Sequence, residues 1–203
     1  MVPIDRKRAA AEFLKLLVDA GRLVADRWFL LQTASRRGSE PVIRYRERVY
    51  CYELYHQLRM LSDSPLGGDA GAPAYTLSGE IDKAQLNAVI DGGRHKPDLV
   101  WHVPGQWQHN AVVIEVKAAD HLRPGPLRKD LQTLSAFLRA ERGYERAALL
   151  IYGDAEGEVL RRRVLQTAAG VGFPADLAQR THLLWHPRPR QAMQDLGPLA
   201  QCV

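Results

Sequence analysis

Apolar positions recur at helical spacing from Ile4 to about Ser35. Phe13, Leu16, Leu17 and Val18 form one stripe, and Leu23, Val24, Trp28 and Leu31 repeat it beyond Gly21. The pattern predicts two short helices joined near Ala20-Gly21. The stretch Arg36-Arg37-Gly38-Ser39-Glu40-Pro41 then breaks it with charge, glycine and proline. A second helical pattern runs from Val42 to Met60, with Cys51, Leu54, Tyr55 and Leu58 along one face and Arg44, Arg46, Glu47 and Arg48 crowding its start. Ser62–Pro73 has the composition of a loop, Tyr75–Lys83 alternates like a strand, and Ala84–Gly93 carries no clear period.

The next hundred residues are easier to read. Asp98–Val103 and Ala111–Lys117 are two strands joined by the turn-rich Pro104–Asn110. After Pro124–Pro126 a helix places Leu127, Leu131, Leu134 and Leu138 on one face. Ala147–Tyr152 is a fully apolar strand of the kind buried on both sides. Glu156–Ala169 is helical again, His182–Trp185 is a last short strand, and the chain beyond Pro187 reads as irregular. From Val42 onward the order is helix, three strands, helix, strand, helix, strand, which is an α/β order.

Composition agrees with a folded, water-exposed domain. The 203 residues are 46% hydrophobic and 25% charged, enough apolar material for a core. Apolar runs such as Ala147–Tyr152 fall far short of the roughly 20 residues a spanning helix needs, so no membrane association is expected. Met1–Arg8 has no apolar signal core, and Cys51 and Cys202 cannot build a disulfide framework, so a cytoplasmic location is expected. The net charge of +5 favours a polyanionic partner.

The two hairpin strands carry the chemistry. In an antiparallel pairing, the midpoint between Asp98 and Glu115 falls inside Pro104–Asn110, so the two acids face each other. Opposed Cβ atoms lie about 4.5–5.5 Å apart. Two ionised carboxylates at that separation repel unless one binds a proton or a cation joins them. Glu115 and Lys117 share one face of their strand, and Val112, Ile114 and Val116 take the other, which should be the core. Two carboxylates beside an ammonium suit a hard cation such as Mg²⁺ or Mn²⁺. In that arrangement the lysine orients or deprotonates a metal-bound water for attack on a phosphodiester.

Pro97-Asp98 followed by Glu115-Val116-Lys117 resembles the signature of the PD-(D/E)XK, or restriction-endonuclease-like, nuclease superfamily. The resemblance covers roughly the middle of the chain, Val42–Tyr152, and implies a core of helix, three-stranded antiparallel meander, helix and strand. It also implies that Asp98 and Glu115 bind Mg²⁺ or Mn²⁺ and that Lys117 assists the water. Glu53, in Tyr52-Glu53-Leu54-Tyr55, matches the family's extra acid on the preceding helix, and would be a third ligand. Gln132 is similar in position to a glutamine of the exonuclease-like branches.

The expected division is a helical segment over 1–38, a nuclease-like domain over 39–187 and an irregular tail over 188–203. The implied activity is hydrolysis of nucleic acid, DNA above all, and fold analogy points to a bacterial defence or DNA-processing role. A homodimer, or docking through the N-terminal helices into a larger complex, would supply the recognition surface that a single small domain lacks.

Plainer readings stand beside these. Asp98 can cap a turn, and Glu115 with Lys117 can form a surface ion pair on a half-exposed strand. Glu53 and Gln132 can simply face solvent, with Glu80 or Asp82 taking the place of Glu53. His95, His102 and His109 fall on different elements and do not make a zinc site. Trp101 and Trp107 suit packing better than base stacking, and Arg161-Arg162-Arg163 suits either solvent or phosphate. A catalytically inactive nuclease fold that binds nucleic acid or a protein is the alternative function.

Overall fold

The computed structural model describes residues 5–33, 42–62, 75–79, 96–139 and 143–202. Helix α1 (Arg6–Ala20) starts where the Asp5 side chain accepts the Lys7 N–H at 3.0 Å. A short 3₁₀ turn, Gly21–Leu23, leads into α2 (Asp26–Phe29). Strands β1 (Leu31–Thr33) and β2 (Val42–Arg44) pair antiparallel as a small separate ladder. The helical periodicity expected through Ser35 and from Val42 therefore gives way to strand. The β-branched pair Val42-Ile43 follows Pro41 and suits an extended chain. Helix α3 begins only at Glu47 and runs to Ser62.

Among the described residues the main sheet has six strands, β3 (Thr76–Gly79), β4 (Leu99–His102), β5 (Asn110–Ala118), β6 (Arg146–Tyr152), β7 (Thr181–His186) and β8 (Gln194–Pro198), adjacent in chain order. β3, β4 and β5 form an antiparallel meander, β5, β6 and β7 run parallel, and β8 returns antiparallel on β7. Parallel neighbours require crossovers. Helix α4 (Pro124–Arg139) joins β5 to β6, and α5 (Gly157–Gly170) with α6 (Ala175–Arg180) joins β6 to β7. The class is mixed α/β.

Both faces of the sheet are covered. Phe13, Leu14 and Leu17 of α1 and Tyr50, Leu54 and Leu58 of α3 pack on Val112, Ile114, Val116 and Leu150. Leu127, Leu131 and Leu134 of α4 and Leu160 and Val164 of α5 pack on Val113, Leu149 and Ile151. β5 and β6 are the apolar runs such burial demands. The α1 residues thus sit in the same core as the meander.

The tail beyond Pro187 is not wholly irregular, since it supplies β8 and the buried Met193 and Leu199. β8 reads as non-strand because Gln-Asp-Leu-Gly-Pro is polar and breaker-rich, which an edge strand tolerates. The tail also braces the N-terminal helix, with Arg190 N–H donating to Val24 O and Met193 N–H to Val18 O. A Cβ on Gly21 would stand 2.7 Å from the Gln191 carbonyl oxygen, so this close approach requires glycine. Residues 80–83 of the expected strand and the segment 84–93 lie outside the described residues, as do Glu80, Asp82 and His95.

Candidate functional site

The site forms where the start of β4 meets the end of β5. Leu99 pairs with Ile114, so the register carried back one residue sets Asp98 opposite Glu115. A shift between Trp101 and His102 absorbs an extra residue near the turn and leaves the register at this end undisturbed. Asp98 N–H donates to Ile114 O at 3.1 Å, and Asp98 Oδ2 accepts the Val116 N–H at 2.7 Å. By strand alternation, Asp98, Glu115 and Lys117 share the sheet face of Val100 and Val113, the face covered by α4. That face is core up to Val113 and becomes polar only at its end, so the acids are largely enclosed.

Burial and mutual repulsion set the protonation of this cluster. Burial raises the Asp98 carboxyl, with the Val116 N–H and Lys117 pulling it back. Glu115 is pushed well above the usual carboxylate range, first by burial and then by the charges of Asp98 and Asp130. The two carboxyls titrate as a coupled pair, and both are raised, so the pair holds a proton more readily than isolated carboxyls would.

Lys117 Nζ lies 3.3 Å from Glu47 Oε2 and 3.2 Å from Asp130 Oδ2. Burial draws the amine down, yet the two carboxylates outweigh it and hold Lys117 above its ordinary value. Asp130, on the inner side of α4, is pushed up to about 6 by burial despite Lys117. Glu47 occupies the first turn of α3, where a carboxylate favours the helix dipole. Its Oε1 accepts the Ala118 N–H at 3.3 Å and lies 3.2 Å from His121 Nδ1.

The structure brings Asp98, Glu115 and Lys117 together and adds Glu47 and Asp130, which the sequence reading did not single out. It does not bring Glu53 or Gln132 to them. Glu53 is six residues past Glu47, about 9 Å further along the helix and roughly 120° away in rotation. Its Oε1 accepts from Gln57 Nε2 at 2.7 Å. Gln132 is exposed, because two residues on a helix turn about 200° and Asp130 takes the inner side. The signal for Glu47 was present in the charged start of the helix, but a helix drawn from Val42 hides that Glu47 is its first turn.

The plainer readings resolve case by case. Trp101 stacks on Phe13 with ring centroids 4.7 Å apart, which is packing. His102 Nε2 meets Ser78 Oγ at 3.1 Å, while His109 sits edge-on to Tyr75. Arg161 reaches toward Glu158 at 3.9 Å, and Arg163 Nη1 donates to Leu122 O at 3.2 Å.

Among the described residues, no group of three or more His, Cys, Asp and Glu side chains is placed to hold a metal ion. The donors that fit one are Asp98 and Glu115, an all-oxygen pair in which each charge raises the cost of the other. Glu47 has both oxygens committed, and Asp130 is on Lys117. Mg²⁺ is commonly held by one or two carboxylates with the remaining positions left to water and substrate phosphate. Compared with protein-family models, with curated proteins and with solved structures, the chain finds no match. Among the described residues no helix is long and apolar enough to cross a membrane.

Proposed function

We propose that the chain is a metal-dependent nuclease that hydrolyses phosphodiester bonds, with DNA as the favoured substrate. The observation that carries this reading is the opposition of Asp98 and Glu115 across β4 and β5, with the Lys117 ammonium on the same face. The order α3, then β3 to β5 as an antiparallel meander, then α4 and β6, supports a restriction-endonuclease-like core.

Asp98 and Glu115 would hold Mg²⁺ or Mn²⁺. Bound there, the ion would polarise a phosphoryl oxygen and activate a water. The protein's own groups prepare for this. The Val116 N–H fixes the Asp98 carboxylate against the neighbouring strand. Lys117, bracketed by Glu47 and Asp130, stays an ammonium, so it orients water or phosphate by donating hydrogen bonds and does not act as the base. Arg44 and Arg46 just before α3, Arg48 in its first turn, Arg123 just before α4, and Arg128 and Lys129 within it are exposed around the starts of the two helices that supply Glu47 and Asp130. Such cations neutralise a phosphate backbone, and binding through them weakens as salt rises.

The test is incubation with plasmid, linear double-stranded DNA, single-stranded DNA and RNA, each with Mg²⁺, with Mn²⁺ and with chelator. Metal-dependent cleavage lost in Asp98→Ala and Lys117→Ala is expected. Cleavage that persists in those variants, or that ignores chelator, overturns the assignment.

A further inference from the structure

The geometry points to His121 as the proton donor to the leaving oxygen of the scissile phosphodiester, an inference that rests on the nuclease reading above. Lys117 and His121 are held by the same carboxylate. Glu47 Oε2 is 3.3 Å from Lys117 Nζ, and Glu47 Oε1 is 3.2 Å from His121 Nδ1. The lysine side chain is 12% exposed and already shared between two acids, whereas the imidazole is 53% exposed. An ionised carboxylate only accepts hydrogen bonds, so Nδ1 must be the donor to Glu47. That arrangement fixes the ring and leaves Nε2 as the nitrogen that gains and gives a proton. Among the described residues Asp120, in the same turn, also faces the ring, with Oδ1 3.8 Å from Nε2, beyond hydrogen-bond distance.

The step balances without any further reactant. Water forms the new P–O bond, and the bond to the leaving sugar oxygen breaks with its electron pair going to that oxygen. The Nε2 proton of His121 neutralises the alkoxide. The proton released by the water passes to solvent, from which His121 is protonated again. A positioned acid of this kind is worth about 10²–10⁴-fold in rate.

The experiment compares the full-length wild type, His121→Ala and His121→Gln in Mn²⁺ on two DNA substrates. One carries the ordinary phosphodiester. The other carries sulfur at the bridging position of the leaving group, identified from the ends of the wild-type products. A thiolate leaves without needing a proton. Both variants should lose about 10²-fold or more on the oxygen substrate and stay within about threefold of wild type on the sulfur substrate. The glutamine variant keeps a hydrogen-bond donor for Glu47, so its recovery of the oxygen reaction would reveal a structural role and overturn the proposal. Equal losses on both substrates, or no loss on either, would overturn it too. A folded wild type that cleaves neither substrate overturns the nuclease reading itself, a result distinct from any of these.

Discussion

The carboxylate of Asp98 accepts the backbone N–H of Val116 at 2.7 Å, one residue beyond the glutamate it faces. That bond ties the first residue before β4 to β5, and it keeps Asp98 and Glu115 side by side although burial and charge both oppose it. The pair is held at a cost in stability, as functional acids commonly are.

Without metal, Glu115→Gln should therefore raise the melting temperature at pH 8. The folded-state value of Glu115 lies above its unfolded one, so its contribution is most favourable below about pH 4.5 and is lost as pH rises. Added Mn²⁺ should stabilise the wild type and leave Glu115→Gln unmoved. Thermal melts at pH 5 and pH 8, with and without metal, check both statements. A less stable variant at pH 8 would sink the idea of a strained pair.

Lys117→Met removes the ammonium that sits between the buried Asp130 and Glu47. The loss should be about 3 kcal/mol at pH 8, as when one partner of a buried pair is deleted. It should shrink at pH 5, where Asp130, already pushed up to about 6 with the lysine present, binds a proton. Urea titration at the two pH values measures this, and a penalty independent of pH would contradict it.

Glu47 and Glu53 make a paired test. Glu47→Gln weakens the hold on Lys117 and His121 and should lower cleavage at least tenfold, whereas Glu53→Gln disturbs only a bond to Gln57 within α3 and should stay within about twofold. Steady-state cleavage of one DNA substrate decides between them. The reverse order would restore Glu53 to the site.

The distance between expectation and structure has a physical origin in each case. The Asp98–Glu115 opposition was readable because a hairpin's register follows from its turn, and the irregularity near His102 did not spread to the other end of the strands. Lys117 followed from alternation along β5. Glu47 was hidden because apolar residues at Val42 and Ile43 fit a helical stripe as well as a strand, and only the ladder with Leu31–Thr33 separates the two. Family position points to Gln132, while helix phase turns that glutamine outward and Asp130 inward. The contribution of β8 rests on tertiary pairing with β7, which a polar segment containing glycine and proline does not announce.

His186 sets a second pH dependence, of opposite sign. Its Nδ1 lies 2.7 Å from the Tyr50 hydroxyl oxygen within a buried group of Phe29, Tyr50 and Tyr152, and burial brings the imidazole down to about 4. A histidine depressed on folding contributes stability above its unfolded value near 6.5, and that stability is lost as pH falls through 4. The full effect is about 3 kcal/mol. Chemical denaturation of wild type and His186→Phe from pH 7 to pH 4 should converge as the solution becomes more acid. Parallel curves would show that the imidazole is not held neutral.

The most direct measurement is calorimetric titration of Mn²⁺ into the metal-free protein, alongside Asp98→Asn and Glu115→Gln. An ion held between the two facing carboxylates predicts a binding isotherm in the wild type that either substitution abolishes. A flat titration of the wild type, or an isotherm that survives both substitutions, would contradict the account.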